Sequence, residues 1–190
     1  MIIQGKTYQN PLFVFAMEVE AGNEFEEVNK VFTGVGKVNA TYQLMKGIQQ
    51  YQPDVIINLG TAGSTSHNRG SVVCCTQFIQ RDMDVIGLGF QKFQTPFENT
   101  PVILENGLEL SHLPIGICGS GDQFEMEHIN DEYNVVEMEA YALAKVAMME
   151  NLPFLSLKYI SDGADGNADD DWSLQVKKAA VALKQAVYGS

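Results

Sequence analysis

Five carboxylates stand at or near the ends of apolar runs in this sequence, where a strand would pass into a turn or a helix. They are Glu18, Glu20, Glu137, Glu139 and Asp162. Burying a carboxylate among apolar residues costs free energy unless it is paired with a donor or a cation. Carboxylates held in fixed positions are also suited to general acid and base catalysis. Each one alone is better interpreted as a group that stabilises the start of a following helix. Together with the glycine-containing segments 60–63 and 119–122, they favour a functional site.

Short apolar runs would carry these carboxylates to one place. Strands are predicted by the runs 11–16, 30–33, 54–59, 71–80, 113–118, 134–136 and 154–160. Helices are predicted over segments 38–51, 138–150 and 172–187. Alternating strands and helices indicate an α/β fold with a largely parallel, twisted sheet. Because ligands bind beyond the carboxyl ends of parallel strands, carboxylates from both ends of the chain could share one crevice.

Three connecting segments are less regular. Residues 60–63 predict a turn at the end of a buried strand, and residues 34–37 predict a tight structural turn. The latter segment lacks the spacing of a Walker loop and the third glycine of a dinucleotide fingerprint, so a phosphate site is the weaker interpretation. Segment 81–111 is broken by Gly and Pro, and it is either a binding loop or a strand pair that the pattern does not reveal.

Length and composition limit the possible functions. The chain of 190 residues predicts a single domain, 1–190. Its net charge of -12, from 12 basic and 24 acidic residues, argues against binding to nucleic acid or to an anionic membrane surface. No apolar run approaches the ~20 residues that span a bilayer, and residues 1–6 do not resemble a signal peptide. Three cysteines without framework spacing suit a reducing compartment, so we expect a cytoplasmic location.

Metal binding is not expected. His67, His112 and His128 lack the i, i+4 partner of a zinc helix. The acidic segment 165–171 resembles a calcium loop only superficially, because Asp170 replaces the glycine at the sixth position and Val176 replaces the glutamate at the twelfth. Acidic residues there are better explained as stabilising the start of a helix near Trp172. We therefore expect neither a metal nor an organic cofactor.

Six segments, in order over nearly the whole chain, resemble the nucleoside phosphorylase/nucleosidase superfamily, most closely the 5'-methylthioadenosine/S-adenosylhomocysteine nucleosidases. They are 16–20 (AMEVE), 34–40 (GVGKVNA), 54–63 (DVIINLGTAG), 120–124 (SGDQF), 136–140 (VEMEA) and 160–165 (ISDGAD). The resemblance implies a three-layer α/β sandwich with a central mixed, largely parallel twisted sheet. It also implies hydrolysis of the N-glycosidic bond of a purine nucleoside, expected to be a 5'-substituted adenine nucleoside, with water as the nucleophile.

The same resemblance assigns roles to the residues. Glu20 matches the general base that activates water, and Asp162 matches the general acid that protonates purine N7. Two carboxylates in opposite roles suit a bond whose cleavage passes through an oxocarbenium-like state. Glu139 matches the residue that binds the ribose hydroxyls, and Met138 matches the side chain that packs under the sugar. The other substrate-binding residues implied are Met17, Thr61, Ala62, Gly63, Phe124 (stacked on the purine), Glu125, Glu137, Lys158 and Ser161 (which orients Asp162).

Some residues depart from the family's pattern. Lys158 stands where the nucleosidases usually carry an arginine, and the two are not equivalent. Glu125 stands where an apolar residue is typical, and segment 81–111 is shortened. A phosphorolytic purine nucleoside phosphorylase stays an alternative, with Arg69 and Arg81 as conceivable anion contacts, and so does a catalytically weak nucleoside-binding homologue. The family implies a homodimer.

Overall fold

The apolar runs of the sequence form the strands of one sheet in the structure, a computed structural model that describes residues 1–125, 131–163 and 168–189. Two further strands, β1 (Ile2–Ile3) and β2 (Lys6–Thr7), pair only with each other. The strands of the main sheet are β3 (Pro11–Phe15), β4 (Lys30–Phe32), β5 (Val55–Gly63), β6 (Val72–Gln80), β7 (Ile103–Leu104), β8 (Ile115–Ser120), β9 (Val135–Glu137) and β10 (Phe154–Asp162). The helices are α1 (Glu18–Ala21), α2 (Lys37–Tyr51), α3 (Ala140–Met149) and α4 (Ala168–Tyr188), with a 3-10 turn at Ile86–Leu88.

The main sheet is mixed and largely parallel, as expected. Its order is β10-β6-β8-β9-β5-β3-β4, with β7 on the edge of β6. Strand β10 also pairs with β5, so the sheet closes into a ring of β5, β9, β8, β6 and β10. The parallel pairs β5–β10 and β8–β9 end side by side. This arrangement brings the ends of several strands to one place.

Apolar side chains cover both faces of the sheet and give three layers. One core contains residues of α2 and α3, such as Leu44 and Leu143, and the other contains residues of α4, such as Leu183. The adjacent Cys74 and Cys75 belong to opposite cores and are free thiols. Neighbouring residues of a strand point to opposite faces of the sheet, so these two cysteines cannot face each other.

Several local predictions were wrong. Residues 60–63 are not a turn: β5 continues to Gly63 because β10 pairs with it as far as Asp162. Segment 81–111, for which both a binding loop and a strand pair were left open, contains one short strand, β7, which pairs with β6. The final helix begins at Ala168 rather than near Trp172, and the β1–β2 hairpin and the short α1 were not predicted. His128 and the expected role of the acidic segment 165–171 lie outside what the structure describes.

None of the helices in the described part of the chain combines the length and the apolar character that a membrane span needs.

The contact between α2 and the sheet predicts a cost for a side chain at Gly47. A Cβ atom there would lie 2.7 Å from Val31 Cγ2 and 3.1 Å from Leu12 Cδ2. Alanine favours a helix by about 1 kcal/mol over glycine, but overpacking a core costs about 1–3 kcal/mol. We expect Gly47→Ala to lower the free energy of unfolding, measured by urea denaturation. The exposed Gln49→Ala on the same helix should change it by less than about 0.5 kcal/mol; an equally or more stable G47A protein would contradict this packing.

Candidate active site

A cavity of about 240 Å³ lies where β5, β9 and β10 end. Every residue that the sequence predicted for the site lines this cavity, except Lys158. Residues that are far apart in the sequence therefore meet at this cavity, because Glu20 follows β3 and Asp162 ends β10. Arg81 and Gln123 also line it, and neither was among the predicted site residues.

Glu20 is held in place by three donors. Its Oε1 accepts hydrogen bonds from the Thr61 backbone N–H and the Thr61 hydroxyl, both at 2.9 Å, and its Oε2 accepts one from the Met17 N–H at 3.1 Å. The Cβ of a residue at position 60 would lie 3.1 Å from Glu20 Oε1, so Gly60 leaves room for the carboxylate. A carboxylate has about four acceptor positions, so Oε2 keeps capacity to bind a water molecule in the cavity.

Asp162 is aimed into the cavity by an irregularity in β10. The pairing with β5 shifts register between Ile160 and Asp162, which leaves Ser161 as an extra residue. Such bulges re-aim side chains and are common beside active sites. The Ser161 hydroxyl donates to Asp162 Oδ2 at 2.7 Å, so Ser161 contacts the carboxyl group that it is predicted to orient, and the orienting role stays a prediction.

Glu137 is the centre of a buried hydrogen-bond network. It accepts from the Ser120 hydroxyl, from the N–H groups of Glu139 and Ala140 at 2.9 and 2.8 Å, and from Lys158 Nζ at 3.1 Å. These backbone N–H groups belong to the start of α3, where a negative charge is favoured. Burial alone would raise the pKa of Glu137, but Lys158 and the hydrogen-bond donors hold it below its usual value.

Lys158 lies behind the cavity wall rather than in it. Its side chain is 3% exposed and pairs with Glu137, and it is absent from the cavity lining. The Lys158 ammonium is directed at the buried Glu137 instead of the cavity, so the structure does not bring it together with the other predicted site residues. Burial opposes the charged amine, but Glu137 and other nearby acidic groups raise the pKa of Lys158 above its usual value.

Glu139, two residues after Glu137 in the sequence, also lines the cavity. Its Oε1 accepts the Gly36 N–H at 2.7 Å, while burial and the neighbouring Glu137 charge raise its pKa to about 8. The neighbouring Lys37 N–H donates to Asp122 Oδ1 at 2.8 Å. The Gly36 and Lys37 N–H groups of the turn 34–37 thus bind carboxylates of the protein, and the Gly34 N–H binds the Ala16 carbonyl, which agrees with the interpretation as a structural turn rather than a phosphate site.

Phe124 and its neighbours form another part of the wall. The Phe124 side chain lines the cavity and is 54% exposed. Its ring is therefore accessible to a flat ligand that would stack on it. Arg81 pairs with Glu125 at 3.0 Å and donates to the Gln123 carbonyl. Sequence reasoning treated Arg81 only as a conceivable anion contact, because its proximity to Glu125 depends on how β6 and β8 pair. Arg69, the other conceivable anion contact, does not line the cavity.

The chain is similar to several known proteins. Residues 15–188 match the sequence model of the phosphorylase superfamily. The 5'-methylthioadenosine/S-adenosylhomocysteine nucleosidase of Staphylococcus aureus is 31% identical, over 82% of this chain and 77% of that protein. A solved nucleosidase of the same name from Helicobacter pylori has a TM-score of 0.86 at 19% identity, covering 97% of this chain and 98% of that one. A futalosine hydrolase mutant of Helicobacter pylori has a TM-score of 0.85 at 18% identity, covering 95% and 97%.

The buried pair predicts a large effect of removing Lys158. In Lys158→Met, Glu137 would remain buried without its countercharge, and breaking one side of a buried ion pair costs about 3–5 kcal/mol. We expect urea denaturation at neutral pH to show a loss in that range. The double variant with Glu137→Gln and Lys158→Met should lose less free energy of unfolding than the sum of the losses of the two single variants, because both changes remove the same interaction. A Lys158→Met protein as stable as the wild type would exclude this role of the pair.

The raised pKa of Glu139 predicts a pH-dependent loss of stability. Its folded pKa of about 8 lies above the ~4.3 of a free glutamate. The folded state therefore binds the proton more tightly, so this contribution is complete at low pH and is lost as the pH rises towards 8. Between pH 5 and 8 the wild type should lose about 2 kcal/mol or more relative to Glu139→Gln in urea denaturation. The control Glu27→Gln, at an exposed position, should follow the pH dependence of the wild type. If the free energy of unfolding changed with pH in the same way for the wild type and for E139Q, the raised pKa of Glu139 would be contradicted.

Proposed function

Because the chain belongs to the phosphorylase superfamily, we propose that it hydrolyses the N-glycosidic bond of a purine nucleoside. The observation that carries this proposal is that Glu20 and Asp162 line one cavity in different hydrogen-bond settings. Cleavage of this bond needs a base for the attacking water and an acid for the departing purine. Two separately held carboxylates can supply both functions.

The roles follow from what each side chain can still do. Glu20 Oε2 accepts only the Met17 N–H among the contacts described, so it can also take a proton from a water molecule that attacks ribosyl C1'. Asp162, when protonated, donates to purine N7 so that the base leaves as a neutral molecule. Ser161 keeps the aspartate oriented through its 2.7 Å hydrogen bond. Each proton transfer contributes roughly 10²–10⁴-fold to the rate.

The sugar would be bound by Glu139 and Met138. Glu139 lies at the cavity wall with one oxygen fixed by Gly36, and its carboxyl group can accept hydrogen bonds from the ribose hydroxyls. With a pKa of about 8, this carboxyl group is largely protonated at neutral pH, and the positive charge that develops on the sugar ring would favour its ionised form. A ribose without one of these hydroxyls would leave a buried carboxyl group unpaired, which strongly disfavours such an analogue. Met138 offers an apolar surface beneath the sugar.

The charges of the cavity support water rather than phosphate as the nucleophile. The carboxylates that line it are Glu20, Glu125, Glu137, Glu139 and Asp162. Arg81 is the only cation among the described lining residues, and it is paired with Glu125. Lys158, behind the wall, is paired with Glu137. Both cations are therefore already compensated by Glu125 and Glu137, and a phosphate dianion beside Glu20 would find no further cation among the described lining residues.

The substrates proposed are 5'-methylthioadenosine and S-adenosylhomocysteine. Support comes from the name of the Staphylococcus aureus relative, at 31% identity, and from the ordered motifs of the sequence. The presence of both an acid and a base candidate in the cavity favours an enzyme over a homologue that only binds nucleosides. Assembly as a homodimer stays a prediction from the family resemblance.

Glu20→Gln and Asp162→Asn test this proposal. Each change keeps the size of the side chain but removes its ability to take or give the proton, so we expect release of free base from 5'-methylthioadenosine to fall at least about 100-fold. Base release is followed by liquid chromatography. Glu18→Gln, exposed on the same short helix and outside the cavity lining, should retain nearly full activity. Normal rates in E20Q or D162N, with folding verified by circular dichroism, would refute the assigned role.

A further inference from the structure

We infer that Lys37 and Asp82 are positioning residues, which hold the turn 34–37 where the Gly36 N–H binds Glu139. The inference rests on the proposed function, in which the Glu139 carboxyl group binds the ribose hydroxyls. Neither Lys37 nor Asp82 lines the cavity, so their effect on the sugar has to pass through the turn. The 2.7 Å hydrogen bond from the Gly36 N–H to Glu139 Oε1 is the contact that carries it.

One lysine joins three segments that are distant in the sequence. Lys37, at the start of α2, donates from Nζ to Asp82 Oδ1 at 2.6 Å, just beyond the end of β6. The same Nζ lies 3.4 Å from Asp122 Oδ2, just beyond the end of β8. The Asp122 N–H in turn donates to Asp82 Oδ2 at 2.8 Å. Each member of this network therefore contacts both of the others.

The turn depends on contacts from other segments, because two of its four residues are glycines and glycine loses more conformational freedom on ordering than any other residue. At its start, the Ala16 carbonyl accepts the Gly34 N–H at 2.9 Å. At its end, Asp122 Oδ1 accepts the Lys37 N–H at 2.8 Å. Because Gly36 lies between these two anchors, a shift of the segment after β8 would displace its N–H from the cavity carboxylate.

Asp82 is the acceptor that keeps this network together. Burial alone would raise the pKa of Asp82, but Lys37 and the Asp122 N–H hold it below its usual value. The Lys37 and Asp82 side chains are 14% and 22% exposed, so water and salt screen their attraction only in part. Without Asp82, the Asp122 N–H loses its acceptor and Lys37 keeps only the longer contact to Asp122. The start of α2 and the segment after β8 would then no longer be fastened to β6.

The change Asp82→Ala tests the inference through the pKa of Glu139. This pKa is measured by ¹³C NMR titration of the carboxyl groups, and the Glu139 signal is assigned by its absence in Glu139→Gln. Removing the Asp82 charge would by itself lower the pKa of Glu139, whereas losing the Gly36 N–H would raise it. We expect a rise above the wild-type value, and an equal or lower pKa would overturn the inference. The other ionisable groups that act on Glu139 are unchanged in this variant; they are Glu137, Lys158 and Glu20.

The preference for ribose gives a second readout. 5'-Methylthioadenosine and its 2'-deoxy analogue differ by one hydroxyl, so the wild type should favour the ribose form in kcat/KM by at least about 100-fold. We expect D82A to reduce this ratio about fivefold, the effect that a partly exposed ion pair can transmit. A general loss of stability would lower both rates alike and leave the ratio unchanged. If the pKa of Glu139 rises and the ratio does not change, the positioning role stands and the proposed binding of ribose by Glu139 fails.

Two further variants complete the test. Glu98→Ala is the matched control, since Glu98 also pairs with a partly exposed lysine, Lys145, and does not line the cavity; its pKa for Glu139 and its ratio should equal those of the wild type. Asp82→Asn keeps the shape of the side chain but replaces one acceptor oxygen by a donor, so it should also raise the pKa of Glu139, and it decides the inference if D82A does not fold. The titration needs no substrate. If the wild type cleaves no nucleoside, the proposed function fails and the titration still decides the inference.

Discussion

The ion pair between Lys158 Nζ and Glu137 Oε2, 3.1 Å long and almost fully buried, is the interaction on which the candidate active site depends. It joins β10 to the end of β9, and the Ser120 hydroxyl adds β8 to the same carboxylate. Glu137 then binds two N–H groups at the start of α3. A buried carboxylate with these partners fixes the backbone from which Glu139 projects. Without a countercharge, the same carboxylate would strongly destabilise the folded chain.

The other carboxylates of the cavity differ because the backbone supplies each with different donors. Glu20 receives three hydrogen bonds, and a serine orients Asp162. Glu139 has one described N–H partner and lies next to the charge of Glu137, which together with burial raises its pKa to about 8. Acid, base and sugar-binding roles can thus be divided among residues of the same chemical type, since environment rather than side-chain type sets protonation.

The sequence predicts the fold well because buried strands leave continuous apolar runs, and β5 and β10 are of this kind. It failed at residues 60–63, where glycines suggested a turn. There the glycine is needed because the Glu20 carboxylate lies against Gly60, a contact between residues 40 positions apart that no local pattern reveals. The short α1 was missed for a related reason: its four residues are too few to show a helical period.

The site was predicted from ordered motifs, and all of its predicted residues but Lys158 line one cavity. The hydrogen-bond and ion-pair partners of these residues could not be predicted from the same motifs. Lys158 was expected at the substrate, yet the pairing of β10 with its neighbours places it beside Glu137. Arg81 and Glu125 are 44 residues apart in sequence and meet only because β6 and β8 end in register. Hydrogen-bond and charge partners depend on strand register, which a single sequence does not specify across such distances.

The central claim is that the carboxylates of this cavity direct water, and not phosphate, to the sugar. Phosphorus NMR of the reaction with methylthioadenosine in excess inorganic phosphate tests it most directly. The account predicts free methylthioribose, no new phosphate ester signal and a rate of base release independent of phosphate. A sugar 1-phosphate that forms in proportion to released base would contradict it.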